Sequence, residues 1–541
     1  MRKFCLILLM MAAACLFSVV VVQAQSNPIY FPYVVNDAQT STDLLLTNAT
    51  NRDATVTLTG YRADGTPVIP SQNTVSVPAG SQVTVGAGAF GGLRGWVLAE
   101  SNVPGVLANV RVSATDRTAV DIAEPAQPST TIVLPFMAQS SGATTEISIV
   151  NPTQFNTRII ATLYNPGGTT IASVDEQVPP FGLFRGSLAE VFGNDKNYEG
   201  ASHIVARSVP ANIFSQEVRI IGFGVVRGFS RISSDPAEEK VLARTDWAAL
   251  TAVPVSAAGS SVSYPHVIRG LNWISLVGLV NLSTSSQTVT FTYSPAGGPT
   301  LTATRSVAAN GSLRLTAVDL FGAGQDHGAI KISGSGSLTG FVATGTASGS
   351  ALAAGRLQSS GQTEFLLPSV DESTTAFTGV VLHNDGASTA IVDLFLMSAQ
   401  GATIGRSNQV LQPQQRVVQL VRDYFKEGLN QTGGYIFVGS TAPVFAMGIA
   451  GIPDKTLSDL SPQAARPGFG PPAQFLFGIR GKITDNGTTN PVPGVTLTLT
   501  RVGSADQTTT TDSNGEYLFR NLVPGDYTVK PQQAGRMFSP F

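Results

Sequence analysis

Apolar and polar positions alternate along short stretches of this chain, and the stretches come in similar sets. The runs "TDLLLTN", "TEISIVN", "VGLVN" and "GVVLHN" each end in an asparagine: Asn48, Asn151, Asn281 and Asn384. Such apolar, partly alternating runs predict strands with at least one buried face. A second run follows each asparagine: "ATVTLTGYR", "RIIATLYN", "QTVTFTYS" and "AIVDLFLM". These alternate at period two and close on Gly65, Gly168, Gly298 and Gly401, where "ADG", "PGG", "AGG" and "AQG" predict hairpin turns with positive φ.

The spacing is that of an internal repeat. Sixteen residues before each asparagine stands a proline, Pro32, Pro135, Pro265 or Pro368, and the glycine follows seventeen residues after the asparagine. Later columns drift by a residue or two. Pro78, Pro180 and Pro413 precede another strand, with Ala309 in that place in the third copy, and "AFGG", "EVFGND", "DLFGAG" and "RDYFKEG" predict one turn of helix bridging two layers. About seven short strands per copy predict an all-β fold, a tandem array of immunoglobulin-like β-sandwich modules, with a closed barrel as the alternative architecture. In this reading the repeats occupy 28–128, 129–235, 263–358 and 359–464. The second and third copies start 27 residues further apart than the others, so 236–262 is expected to be a linker joining two pairs of sandwiches.

After a Pro/Gly-rich linker at 465–477 the pattern changes. The carrying residues are Gly481, Pro493-Gly494-Val495, Thr511-Asp512, Asn514-Gly515, Tyr517, Phe519, Leu522, Pro524-Gly525 and Tyr527. Through them residues 478–541 resemble the carboxypeptidase regulatory-like domain and the related Cna-B and SdrD-type surface repeats. The resemblance implies a prealbumin-like β-sandwich ending the array, of a kind grouped with carbohydrate-binding-like folds and used as a non-catalytic accessory in bacterial secreted proteins. "KPQQAGRMFSPF" stops short of the closing strand of that family, so this domain is expected to be truncated. Tyr517, Phe519, Leu522, Tyr527 and Val529 are expected to face its core.

Composition narrows the compartment and the chemistry. With 43% hydrophobic residues, 13% charged, 55 glycines and 32 prolines the chain suits folded domains with many turns. Its net charge of −2 and the lack of a basic run past the first residues argue against a nucleic-acid partner. Arg2 and Lys3, the apolar run Phe4–Val22 and the small residue Ala24 predict a signal peptide over 1–24, with an uncleaved anchor as the alternative; a secreted or cell-surface protein without a membrane span after cleavage is expected. Both cysteines, Cys5 and Cys15, lie inside it, so the mature chain holds neither a disulfide nor a thiolate site.

Candidate chemistry is sparse, and neither a catalytic set nor a cofactor is expected. His203, His266, His327 and His383 fall in different repeat columns without metal-ligand spacing. Asp512, Asn514 and Glu516 are the calcium candidates, set against a plain Asx turn because the distal ligand of an EF-hand-like loop is missing. Lys482 stands where some Cna-B domains place an isopeptide lysine, but its partner asparagine is not found, and a solvated face residue is expected. Trp96, Trp247, Trp273, Tyr264 and Tyr435 are weighed as sugar platforms against core positions. The function expected is non-catalytic, structural or adhesive, toward an extracellular protein or polysaccharide; the alternatives are a carbohydrate-binding accessory protein and, after it, a hydrolase.

Overall fold

The computed structural model describes residues 27–539, apart from 71, 116–119, 140–142, 195–197, 199, 211–217, 228–246, 271, 347–351, 426–428, 454–455, 465–476, 487, 501–505 and 523–525. The expected signal segment and nearly all of the Pro/Gly-rich linker lie outside the described residues.

The alternating runs become antiparallel strands stacked in two sheets. In the first unit one sheet has the order Asn27–Val35, Arg94–Ser101, Ala54–Tyr61, Pro67–Val68, with Thr74–Val77 also on Ala54–Tyr61. The facing sheet runs Gln82–Gly86, Thr40–Asn48, Val106–Ala114, Val120–Ala123. Ile29, Leu44, Leu46, Val56, Leu58, Val97 and Val110 fill the space between them. The second unit repeats the order, with Thr131–Leu134, His203–Pro210, Thr157–Tyr164 and Thr170–Val178 opposite Leu183–Ser187, Thr144–Val150, Ile221–Arg227 and Trp247–Thr251.

In the third and fourth units one long strand serves both layers. Asp326–Thr346 pairs with Gly259–Gly270 and Gln287–Pro295 through its first half, and with Trp273–Asn281 and Leu352–Arg356 through its second. Tyr435–Ile452 does the same in the fourth unit. These are sandwiches sharing a bent strand. Single turns of helix at Ala87–Phe90, Leu188–Phe192, Ala317–Phe321 and Val421–Tyr424 link the layers, two of them opened by capping boxes from Ser187 and Thr316.

Of the expected linker at 236–262, most of the described residues are part of these sheets. Its residues 236–246 lie outside the described residues, but Trp247–Thr251 pairs with Ile221–Arg227, and Val253–Pro254 pairs with Ile132 and Val133. Trp247–Thr251 therefore belongs to a sheet of the second unit and not to a linker. Trp247–Thr251 escaped a periodic reading because Trp247, Ala248, Ala249 and Leu250 are all buried, packed on both faces.

The grouping into two pairs is likewise replaced. The strands Val120–Ala123, Trp247–Thr251, Leu352–Arg356 and Thr456–Leu460, one from each unit, contact one another in cyclic order, and the fourth touches the first. Around this axis the four units close into a ring. Separate apolar clusters sit at three seams: Trp96, Val150, Leu183 and Ile221 between units one and two; Phe136, Leu250, Leu276 and Phe341 between two and three; Leu107, Phe395, Tyr435 and Phe437 between four and one.

The C-terminal unit has two small sheets. Phe477–Lys482 pairs with Glu516–Leu522, while Thr496–Thr500 lies between Gln507–Thr510 and Thr528–Gln532. Leu497, Leu499, Phe519 and Leu522 form its core, with Tyr517, Tyr527 and Val529 packed against them.

Candidate functional sites at the seams and the axis

The asparagine column is a set of four buried posts. Each side chain is 0% exposed. The Nδ2 of Asn48 donates to the carbonyls of Arg52, Val77 and Pro78, and its Oδ1 accepts from the Thr50 amide. Asn151 holds Phe155, Val178 and Pro179; Asn281 holds Ser285, Val307 and Ala308; Asn384 holds Ser388, Leu411 and Gln412. Their Oδ1 atoms accept from the amide two residues on, at Thr153, Ser283 and Gly386. A buried amide that meets this many carbonyls fixes a turn and ties it to a strand roughly 30 residues away.

The carbonyls so held open a second recurring turn. Amide-to-carbonyl bonds close Pro78–Ser81, Pro179–Gly182, Ala308–Gly311 and Gln412–Gln415, and the third residue of each has positive φ: Gly80, Phe181, Asn310 and Gln414. This is type II geometry, with proline at the second position in two copies.

Against three of these turns sits the glycine hairpin of another unit. The residue after the turn donates its amide across the seam: Leu183 to Ala63, Ser312 to Pro166 and Gln82 to Ala399, at 3.0, 2.9 and 2.8 Å. Gly65, Gly168 and Gly401 all have positive φ, and a Cβ at Gly65 or Gly168 would stand 2.1 or 1.9 Å from a carbonyl oxygen of the neighbouring unit. Glycine is required here twice over. Gly298, the fourth of the column, has nothing within 4 Å of such a Cβ.

The proline column borders the same seams. At Pro32 and Pro265 the strand pairing shifts register, which accommodates a residue without an amide proton. Pro32 accepts from Ser148 Oγ at 2.7 Å, and Pro265 from Arg416. Pro135 follows the strand end at Leu134, and Pro368 ends its strand.

Polar clusters complete each seam. Between units one and two, Glu146 takes Arg185 Nε at 2.6 Å, Arg227 Nη1 at 3.0 Å and Tyr33 Oη at 3.0 Å. Burial opposes ionisation of Glu146, but the two guanidinium groups outweigh it and hold the carboxyl below its ordinary range. Between two and three, Arg314 donates to the carbonyls of Met137, Ala201 and Ser202, and burial lowers its pKa to about 10. Beside it His203, with Nδ1 3.1 Å from Ser202 Oγ, is pushed down to about 3 by burial and then by Arg314.

At the axis, Asp121 is fully buried and accepts the amides of Ile122, Ala249 and Asp459, from three different units. Asp459 accepts Tyr264 Oη at 2.6 Å and Ser461 Oγ at 2.6 Å, and Glu124 pairs with Arg356 at 2.9 Å. Burial raises the pKa of Asp121, Glu124 and Asp459 alike. The set joins all four units and exposes no carboxylate pair to solvent.

The histidines expected to be scattered are not all apart. His266 and His327 lie with ring centroids 5.4 Å apart and both contact Arg416, and His383 Nε2 is 3.9 Å from Asp385. Different columns meet because the seam brings two units together. The proposed sugar platforms are spent inside. Trp96 donates Nε1 to Phe181 O at 2.7 Å and stacks on Tyr61, Tyr435 donates to Gly80 O, and Trp247 lies under the Arg227 guanidinium. Tyr264 is buried on Asp459, and Trp273 is partly buried beside Ala353 and Leu457.

In the C-terminal unit Asp512 Oδ1 accepts the amides of Asn514 and Glu516, both at 2.8 Å, with Gly515 at positive φ. The three calcium candidates thus form an Asx-stabilised hairpin tip, and among the described residues no group of three or more His, Cys, Asp or Glu could hold a metal. Lys482 is exposed opposite Glu516. Arg416, Asp121, Glu124, Arg356 and Asp459 went unnoticed in sequence because a repeat highlights what its copies share, and these residues occur in one copy each.

No curated protein matches this chain. Among solved structures, the full-length RrgB pilus protein of Streptococcus pneumoniae is similar at 9% identity and a TM-score of 0.12, over 73% of this chain and 85% of that one. The pilus adhesin SpaC of Lactobacillus rhamnosus GG is similar at 14% identity and a TM-score of 0.10, over 72% of this chain and 49% of that one. Residues 21–179 match a family of unknown function, DUF5719. Residues 478–537 match the carboxypeptidase regulatory-like domain, the family that their own sequence resembles.

Proposed function

We propose that this is a secreted or surface-exposed bacterial-type protein with a structural or adhesive role and without catalysis. The observation that carries the reading is where its chemistry-bearing side chains are used. The buried histidines, the tryptophans, the axial carboxylates and the large arginine clusters are committed to contacts within and between units. A carboxylate that already accepts three backbone amides, or a histidine held against an arginine, has most of its acceptor capacity engaged and lacks the access that general acid–base work requires. Among the described residues no helix is long and apolar enough to cross a membrane. The boundaries we assign are 27–128, 129–254, 259–358 and 362–464 for the ring and 477–539 for the domain attached to it.

A second reading, binding of a polysaccharide, has one feature in its favour. Between units one and four lies a cleft of about 300 Å³ bordered by Arg111, Asp371, Ser373, Thr375, Thr432 and Thr456. Its hydroxyl, carboxylate and guanidinium groups suit a sugar, and its size is at the lower end for ligand sites. The test serves both readings. Purified mature chain is screened on peptide and glycoside substrates, on glycan arrays and on immobilised extracellular proteins. Adhesion without turnover is expected; turnover on any substrate class refutes the structural role. Array binding abolished by Arg111→Ala selects the polysaccharide reading.

A further inference from the structure

The ring repeats one contact three times and omits it once. At the seam between units three and four, the equivalent bond would run from the amide of Arg416 to the carbonyl of Ala296, and among the described residues it is absent. The glycine hairpin 296–300 and the turn 412–415 are both exposed there. Arg416 occupies the column that holds Gln82, Leu183 and Ser312 in the other units, each paired with the residue before the asparagine post. Its guanidinium reaches across to the Pro265 and His327 carbonyls and to Nδ1 of both His266 and His327.

We propose that the rim of this seam is an acid-operated gate, closed at neutral pH and opened as the surroundings acidify. An arginine only donates, so Nδ1 of His266, 2.9 Å from Arg416, must carry a lone pair while the seam is shut. Protonation turns that acceptor into a donor and sets two cations face to face. The nearby carboxylates are already engaged. Asp326 pairs with Arg269 at 2.5 Å and accepts Tyr293 at 2.8 Å, while Asp385 pairs with Lys331 at 2.6 Å beside His383. New positive charge on His266 therefore lacks a free anion, although Asp326 partly offsets it at His327.

The direction follows from the same groups. Burial first, and then Arg416 and His327, hold His266 down to about 3; burial and Arg416 lower His327, and burial lowers His383 against the pull of Asp385. A histidine depressed in the closed state stabilises closure above its ordinary pKa near 6.5, and that contribution fades as pH falls below it. The axial carboxylates are shifted upward, so acid favours rather than loosens the axis. The seam between units two and three also buries a histidine, His203, but there the turn contact through Ser312 and the Arg314 bonds remain.

Hydrogen exchange on the full chain at pH 7.5 and 5.0, corrected for the intrinsic rate, tests the gate. Peptides covering 326–332, 383–385 and 412–418 are expected to lose protection at pH 5.0, by about 30-fold through His266, from the gap of about 1.5 pH units below 6.5, with further loss in the same direction through His327 and His383. Peptides at the other three seams should change much less. The double variant His266→Gln, His327→Gln keeps acceptors that do not titrate, and should keep the pH 7.5 protection while losing most of the acid response. An unchanged rim at pH 5.0, equal loosening of all four seams, or a full response in a folded double variant would overturn the proposal. Should that variant not fold, the comparison of seams in the natural chain decides alone.

Discussion

Asn151 shows how much one side chain carries. It bonds three carbonyls and one amide with no access to water, so Asn151→Ala would strand those partners in a dry interior. Each unsatisfied buried group costs roughly 1–3 kcal/mol, and some relax, so a loss of about 2–4 kcal/mol is expected in urea unfolding of the second unit. Asn151→Asp should not rescue it, because a carboxylate cannot donate. The column itself was legible from its spacing. Half of its role was legible too, since Asn commonly caps the amide two residues on, as Oδ1 does at Thr153. The other half, the reach of Nδ2 to Val178 and Pro179, joins positions that nothing local connects.

At the scale of the turn, the four glycines of one column divide. All have positive φ, which costs an alanine about 1–2 kcal/mol wherever it stands. At Gly168 a new Cβ would also stand 1.9 Å from Ala309 O, whereas at Gly298 it meets open space. Gly168→Ala should therefore lower stability by about 1–3 kcal/mol more than Gly298→Ala, and a pair of thermal melts on the two variants checks this. Sequence marks both glycines as hairpin residues and cannot tell them apart, because the difference lies in the unit opposite. The same reason hid the strand Trp247–Thr251. Periodicity reports a face toward water and a face toward a core, and this strand has neighbours on both sides.

For the molecule as a whole, the chain past residue 24 holds no cysteine, so packing alone secures it. The melting temperature of mature protein should not respond to dithiothreitol; a clear fall would show Cys5 or Cys15 retained and bonded. Strand order within a sandwich follows from short-range turns, and the repeat made four sandwiches readable. The ring was not. Its closure depends on Tyr435 reaching Gly80, Gln463 reaching Ala108 and Ser458 reaching Val120, more than 330 residues apart in each case. Such pairings leave no periodic trace.

Closure also changes how the protein would bear load. Sandwiches strung in series transmit tension through every fold, and their reach adds up. Here a pull between residues 27 and 464 falls first on the seam where the fourth unit meets the first, a latch in parallel with the chain's other junctions. Single-molecule stretching of the ring should then begin with a short extension that unfolds no sandwich, as Tyr435 and Gln463 release Gly80 and Ala108. Tyr435→Phe should lower the force of that first event and leave the later ones unchanged. A ring built this way is expected to yield slightly before any sandwich unfolds and to reclose when the tension drops.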